Sequence, residues 1–99
     1  METLKTLSIF FSSIHKDQRI GPFHVSIYSA LLHYRALHGF EDPLKVFSHE
    51  IMPIAKIASD KTYHKCIRQL FEYGYIHYEP SFKKNQGSKI YLILEMQID

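Results

Sequence analysis

The sequence predicts an α+β domain, mainly α with a small antiparallel sheet. Three observations predict it. Apolar residues in the first forty positions recur at spacings of three and four, as helices with one side in a core require. A further helical pattern, with a serine ahead of it, begins near residue 60. Two short alternating runs follow, separated by a polar loop that contains Pro80 and Gly87 and reads as a hairpin. Of 99 residues, 45% are hydrophobic, 14% aromatic and 22% charged, enough to fill a core and coat it. Disordered, collagen-like and disulfide-dense classes are therefore excluded, and residues 1–99 are expected to form one unit around one core.

The elements follow in order. In the N-terminal helix, residues 1–16, Leu4, Leu7, Phe11 and Ile14 make one apolar stripe with Phe10 beside it. Two heptads are too short for a coiled coil, so the stripe either docks on its own domain or forms a dimer seam. Pro22 suits the first position of the second helix, residues 22–38. There Phe23, Ile27, Ala30, Leu31, Tyr34 and Leu37 form a core face, and Val25, Tyr28 and Leu32 form a second stripe. A helix apolar on two sides needs two covers, from the first helix and the rest of the domain or from a second copy of the chain. Gly39 fits the left-handed residue after the helix. "LKVF", residues 44–47, is a short edge strand. Ser48 is the expected N-cap of a helix over 49–56, which Pro53 shortens or kinks.

Ser59 caps the next helix. Tyr63, Ile67, Leu70 and Phe71 face inward with Cys66 at their flank, while Asp60, Lys61, Thr62, Lys65, Arg68 and Gln69 remain outside. Gly74 ends it. "YIHYE", residues 75–79, and "KIYLILE", residues 89–95, are the strands of the hairpin.

The net charge of +2 is unevenly spread. Five bases balance five acids over residues 1–55, seven bases face three acids over residues 56–89, and the last ten residues add Glu95 and Asp99. The whole positive excess, +4, lies in one third of the chain. Such asymmetry is the footprint of a nucleic-acid surface, with a solvated lysine face as the alternative.

The order helix, helix, short strand, helix, turn, helix, strand, basic loop, strand is that of a winged helix-turn-helix. "SDKTYHKCIRQLFEYGYI", beginning at Ser59 and ending at Ile76, is similar to the recognition-helix region of bacterial winged-helix regulators through Thr62, Tyr63, Ile67, Leu70, Gly74, Tyr75 and Ile76. With "GPFHVSIYSALLHY" before it and "YEPSFKKNQGSKIYL" after it, nearly the whole chain resembles small stand-alone winged-helix proteins of Bacteroidales, often associated with mobile elements. Pro53 and the absence of glycine from "IAKIAS" depart from the commonest pattern at the turn. The resemblance implies a helix-turn-helix over 48–73, a wing over 75–95 and an extra N-terminal helix.

Residue chemistry points the same way. A helix entering the major groove must present donors and acceptors on its first turns. In the helix spanning 59–73, Ser59, Lys61, Thr62, His64, Lys65 and Arg68 supply them. The wing loop, 80–89, offers Lys83, Lys84, Asn85, Gln86 and Lys89 to the backbone or minor groove. The expected partner is double-stranded DNA, bound in a sequence-specific manner by a transcriptional regulator. A homodimer through the N-terminal helix or the helix over 22–38 is possible. An accessory role in mobile-element excision or replication initiation, or a protein-interaction module, is the alternative.

Catalysis and cofactors are not expected. None of the seven histidines forms H-E-x-x-H or an i, i+4 pair, and Cys66 stands alone, so no metal is expected. Cys66 reads as an inert core thiol rather than a redox switch. The glycines make no phosphate-binding loop, and no serine lies in a nucleophile elbow, so the chain is not read as an enzyme. No apolar run approaches the roughly 18 residues of a membrane span, and a cytoplasmic location is expected.

Overall fold

The computed structural model describes residues 2–81, 83 and 86–93. It is an α+β domain of four helices and a three-stranded antiparallel sheet: α1 (Glu2–Ile14), α2 (Pro22–Leu37), β1 (Leu44–Val46), α3 (Ser48–Ala55), α4 (Asp60–Glu72), β2 (Ile76–Glu79) and β3 (Ser88–Leu92). The strand order is β1-β3-β2, which puts β1 on an edge and gives a winged-helix-like layout with one additional helix in front. Among the described residues, no helix is long and apolar enough to cross a membrane.

The helix α2 is central because it is apolar on two sides. It packs against α1, α3 and α4, so both covers come from this chain. Ile27, Ala30 and Leu31 from one stripe and Tyr28 and Leu32 from the other are all buried. The sheet closes the core with Leu44, Val46, Ile76, Ile90 and Leu92, while the alternate residues Lys45, His77 and Lys89 face away from it. Register is explicit: Lys89 on the middle strand lies between Lys45 on β1 and Glu79 on β2.

Helix ends follow local chemistry. Ser59 is extended and its Oγ accepts the Thr62 N–H at 3.2 Å, as a serine N-cap should. Gly39 (φ +72°) and Gly74 (φ +89°) take the left-handed conformation after α2 and α4. At the end of α3 that conformation falls to Lys56 (φ +61°), whose N–H bonds to the Met52 carbonyl. A lysine thus performs the turn that the commonest pattern gives to glycine. The Ser26 hydroxyl donates to the Ala55 carbonyl, tying this turn to α2.

Several expectations need correction. In α1 the buried residues are Thr6 and Phe10, flanked by the partly buried Leu7 and Ile14, while Leu4 and Phe11 are exposed. The helix is rotated because the Phe10 ring stacks on Tyr28, centroids 3.8 Å apart, and meets Tyr75 edge-on at 5.5 Å. Phe23 and Leu37, near the two ends of α2, are exposed. Phe71 is exposed too, near the end of α4, with its ring edge-on to His77. Ser48 is already helical rather than the cap. Glu50 does the capping instead, accepting the Phe47 N–H at 2.9 Å and the Tyr34 hydroxyl at 2.9 Å. Strand β1 ends at Val46 and β3 at Leu92, so Phe47 and Ile93 fall outside the strands expected to include them, and the rest of the expected run, 94–95, lies outside the described residues.

Candidate nucleic-acid interface

The helix α4 is anchored by Tyr63, Cys66, Ile67 and Leu70, all buried. Burial pushes the Cys66 thiol up from its ordinary value against the pull of Lys65, which keeps it protonated. The opposite face carries Lys61, Lys65 and Arg68 at i, i+4 and i+7, all exposed. Together with Asp60, His64, Gln69 and Glu72 they line one shallow groove along the helix. Among the described residues none of the three cations has an ion-pair or hydrogen-bond partner. Their charge is available to a ligand.

The remaining expected residues divide between roles. Ser59 is occupied as a cap. His64 turns back on its own helix, with Nδ1 2.9 Å from the Asp60 carbonyl oxygen and 3.3 Å from Asp60 Oδ2. Asp60 is thereby engaged in the first turn, where the helix dipole favours an acid. Thr62 is half-buried and lines a separate cleft between the start of α2 and α4, shared with Lys65, Cys66 and Gln69.

The described wing residues Lys83, Gln86 and Lys89 do not line the α4 groove. Lys89 lies on the sheet face away from the core and lines a second concavity with Lys45, Phe47, Gln86 and Gly87. Lys83 is exposed, and its N–H donates to Ser81 Oγ at 3.3 Å. Lys84 and Asn85 lie outside the described residues. Gly87 has a structural reason: a Cβ there would sit 2.8 to 2.9 Å from the Val46 backbone N, C and O, so only glycine lets the loop close against β1.

Two residues outside the expected set belong to these surfaces. Lys45 sits opposite Lys89, although β1 comes from the charge-balanced half of the chain. Its exposure was readable from the alternation of "LKV"; its partner was not, because register is a tertiary property. Gln69 sits where the α4 groove meets the cleft beside α2, and its side chain is held by His24. Spacing put Gln69 outside the core but could not identify a partner 45 residues away.

Among the described residues no three His, Cys, Asp or Glu side chains gather as a metal site. Compared with protein-family models, with curated proteins and with solved structures, the chain matches none.

Proposed function

We propose that the chain is a sequence-specific double-stranded DNA-binding protein of winged-helix type that acts as a transcriptional regulator, with α4 in the major groove and the wing loop, 80–89, on the backbone or minor groove. One observation carries the reading: Lys61, Lys65 and Arg68, three cations without a partner among the described residues, project from one exposed face of a helix whose other face is locked in the core. An α-helix fits the major groove, and side chains so presented meet base edges and phosphates. The second basic patch, Lys45 and Lys89 beside the wing loop, supports a contact outside the groove.

Selection from a random duplex library tests this reading, with enrichment of a defined site as the expected result. At fixed salt, Lys61→Ala combined with Lys65→Ala lowers affinity for that site in fluorescence anisotropy. Unchanged binding by the double variant rejects the groove assignment. An accessory role in mobile-element excision or replication initiation uses the same surface, and DNA bending in a permuted-fragment gel separates it from simple regulation.

A second reading, contact with protein, is favoured by Leu4 and Phe11 on the outer face of α1, 59% and 47% exposed. Pairing of two copies through that face joins two DNA-reading helices, and a palindromic selected site together with a dimeric mass in solution is its expected signature.

A further inference from the structure

The cleft between the start of α2 and α4 contains a chain of hydrogen bonds whose direction is determined. The Gly21 N–H donates to His24 Nδ1 at 2.9 Å, so Nδ1 carries a lone pair and the neutral ring holds its proton on Nε2. That Nε2 lies 2.8 Å from the Gln69 side-chain oxygen and therefore donates to it. The Gln69 amide is thus oriented with its oxygen inward and its NH2 outward. His24 is 8% exposed, so water scarcely competes for these bonds.

Among the described residues the Gln69 NH2 group has no partner. Gln69 lines both the α4 groove and the cleft, and so does Lys65, one helical turn earlier. Gln69, Lys65 and Thr62 thus line a cleft whose other walls are largely apolar, and among the described residues no carboxylate lines it. An amide NH2 and an ammonium on one cleft without a carboxylate suit an oxyanion with several acceptor oxygens. Pro22 and Phe23 wall the cleft on the α2 side. Gln69 lies on the flank of α4 rather than on the Lys61 and Arg68 face, and the flanks of a helix in the major groove run beside the phosphates.

We propose that this cleft seats one backbone phosphate of the bound duplex, held by the Gln69 NH2 and the Lys65 ammonium, with His24 as the positioning residue that aims the amide. The assignment rests on the DNA-binding reading above and goes beyond it by naming a phosphate seat and its neutral ligand.

The test uses the full chain and the selected duplex in anisotropy. Gln69→Glu keeps an acceptor for His24 but presents a carboxylate to the phosphate, and is expected to weaken binding about ten-fold or more. Gln69→Ala weakens it by about three- to ten-fold with the log–log salt slope unchanged, because a neutral group displaces no counterion, whereas Lys65→Ala reduces the slope by about 0.9. His24→Ala weakens binding in the Gln69 background and not in the Gln69→Ala background, as a residue acting through another must. Replacing phosphates one at a time by methylphosphonate, one position removes the Gln69→Glu deficit; competition by inorganic phosphate without such a position assigns the cleft to a free anion and overturns the seat.

Wild-type affinity in both Gln69 variants, with Lys61→Ala still impaired, overturns the seat and leaves DNA binding standing. No DNA binding by the parent chain overturns both. Gln69 is partly exposed and outside the core, so its two variants decide the matter even if His24→Ala fails to fold.

Discussion

The Tyr75 hydroxyl donates to Asp17 Oδ2 at 2.6 Å, fastening the loop between α1 and α2 to the residue before β2. The same carboxylate receives the Arg19 guanidinium at 2.8 and 2.9 Å, and that guanidinium lies 4.2 Å over the Tyr73 ring. One carboxylate thereby ties the additional N-terminal helix to the junction between α4 and the hairpin.

Asp17→Ala is expected to cost about 1–3 kcal/mol, because it removes a charge-assisted bond and leaves the buried Tyr75 hydroxyl without its acceptor. Arg19 first, and Tyr75 second, hold the Asp17 carboxyl well below the usual carboxylate range. A lowered folded-state value contributes stability that is fully present above the usual carboxylate range and is lost as the pH falls from that range toward the lowered folded-state value. Urea unfolding of the parent chain from pH 7 to pH 2 should show this loss, and Asp17→Asn should flatten it. At the alkaline end, burial, followed by the bond to Asp17, pushes Tyr75 up to about 12. Its contribution is complete below the ordinary tyrosine value and disappears as the pH rises toward 12.

Adjacent phenylalanines of α1 are expected to differ sharply. Phe10 is fully buried between Tyr28 and Tyr75, so Phe10→Ala should destabilise by about 3–5 kcal/mol. Phe11 is 47% exposed, and Phe11→Ala should stay within about 0.5 kcal/mol. Equal losses in thermal or urea unfolding contradict the observed rotation of α1.

Lys56→Gly should stabilise the chain by about 0.5–1 kcal/mol, since a left-handed lysine is strained and glycine is not, partly offset by the greater freedom of glycine when unfolded. A lower melting temperature for this variant is inconsistent with the left-handed φ at Lys56.

Gly87→Ala should act in the opposite direction. The added methyl meets the Val46 backbone, which cannot yield as a flexible side chain does, and a loss of about 1–3 kcal/mol is expected. Amide exchange of Lys45, Val46 and the Ser88 end of β3 should accelerate before that of the α2 core.

If five cations of α4 and the wing meet phosphates, affinity for duplex DNA should fall with salt at a log–log slope of about −4 to −5. Lys45→Ala should reduce its magnitude by about 0.9 if the β1 edge lies against the backbone. Charge repulsion between Lys45 and Lys89 is relieved by the same substitution, so unfolding measured in parallel should show stability unchanged or raised. An unaltered slope places β1 off the DNA.

Much of this architecture is local. Alternation set the strands, three-four spacing set α2 and α4, and Ser59, Gly39 and Gly74 marked helix ends, because each of these features acts within a few residues. The division of α4 into a buried Tyr63, Cys66, Ile67 and Leu70 face and an exposed Lys61, Lys65 and Arg68 face was readable for the same reason. Long-range partners were not. Whether Phe10 or Phe11 points inward depends on the ring of Tyr28, and Phe71 lies exposed because it falls near the end of its helix. Lys45 faces Lys89 through strand register, and Gln69 is aimed by a histidine on another helix. Sequence alone determined the elements and the charge of the candidate interface, because propensity, periodicity and capping are short-range. Tertiary structure decided which donors converge and in which direction they point, because packing sets rotation, register and hydrogen-bond partners across distant segments.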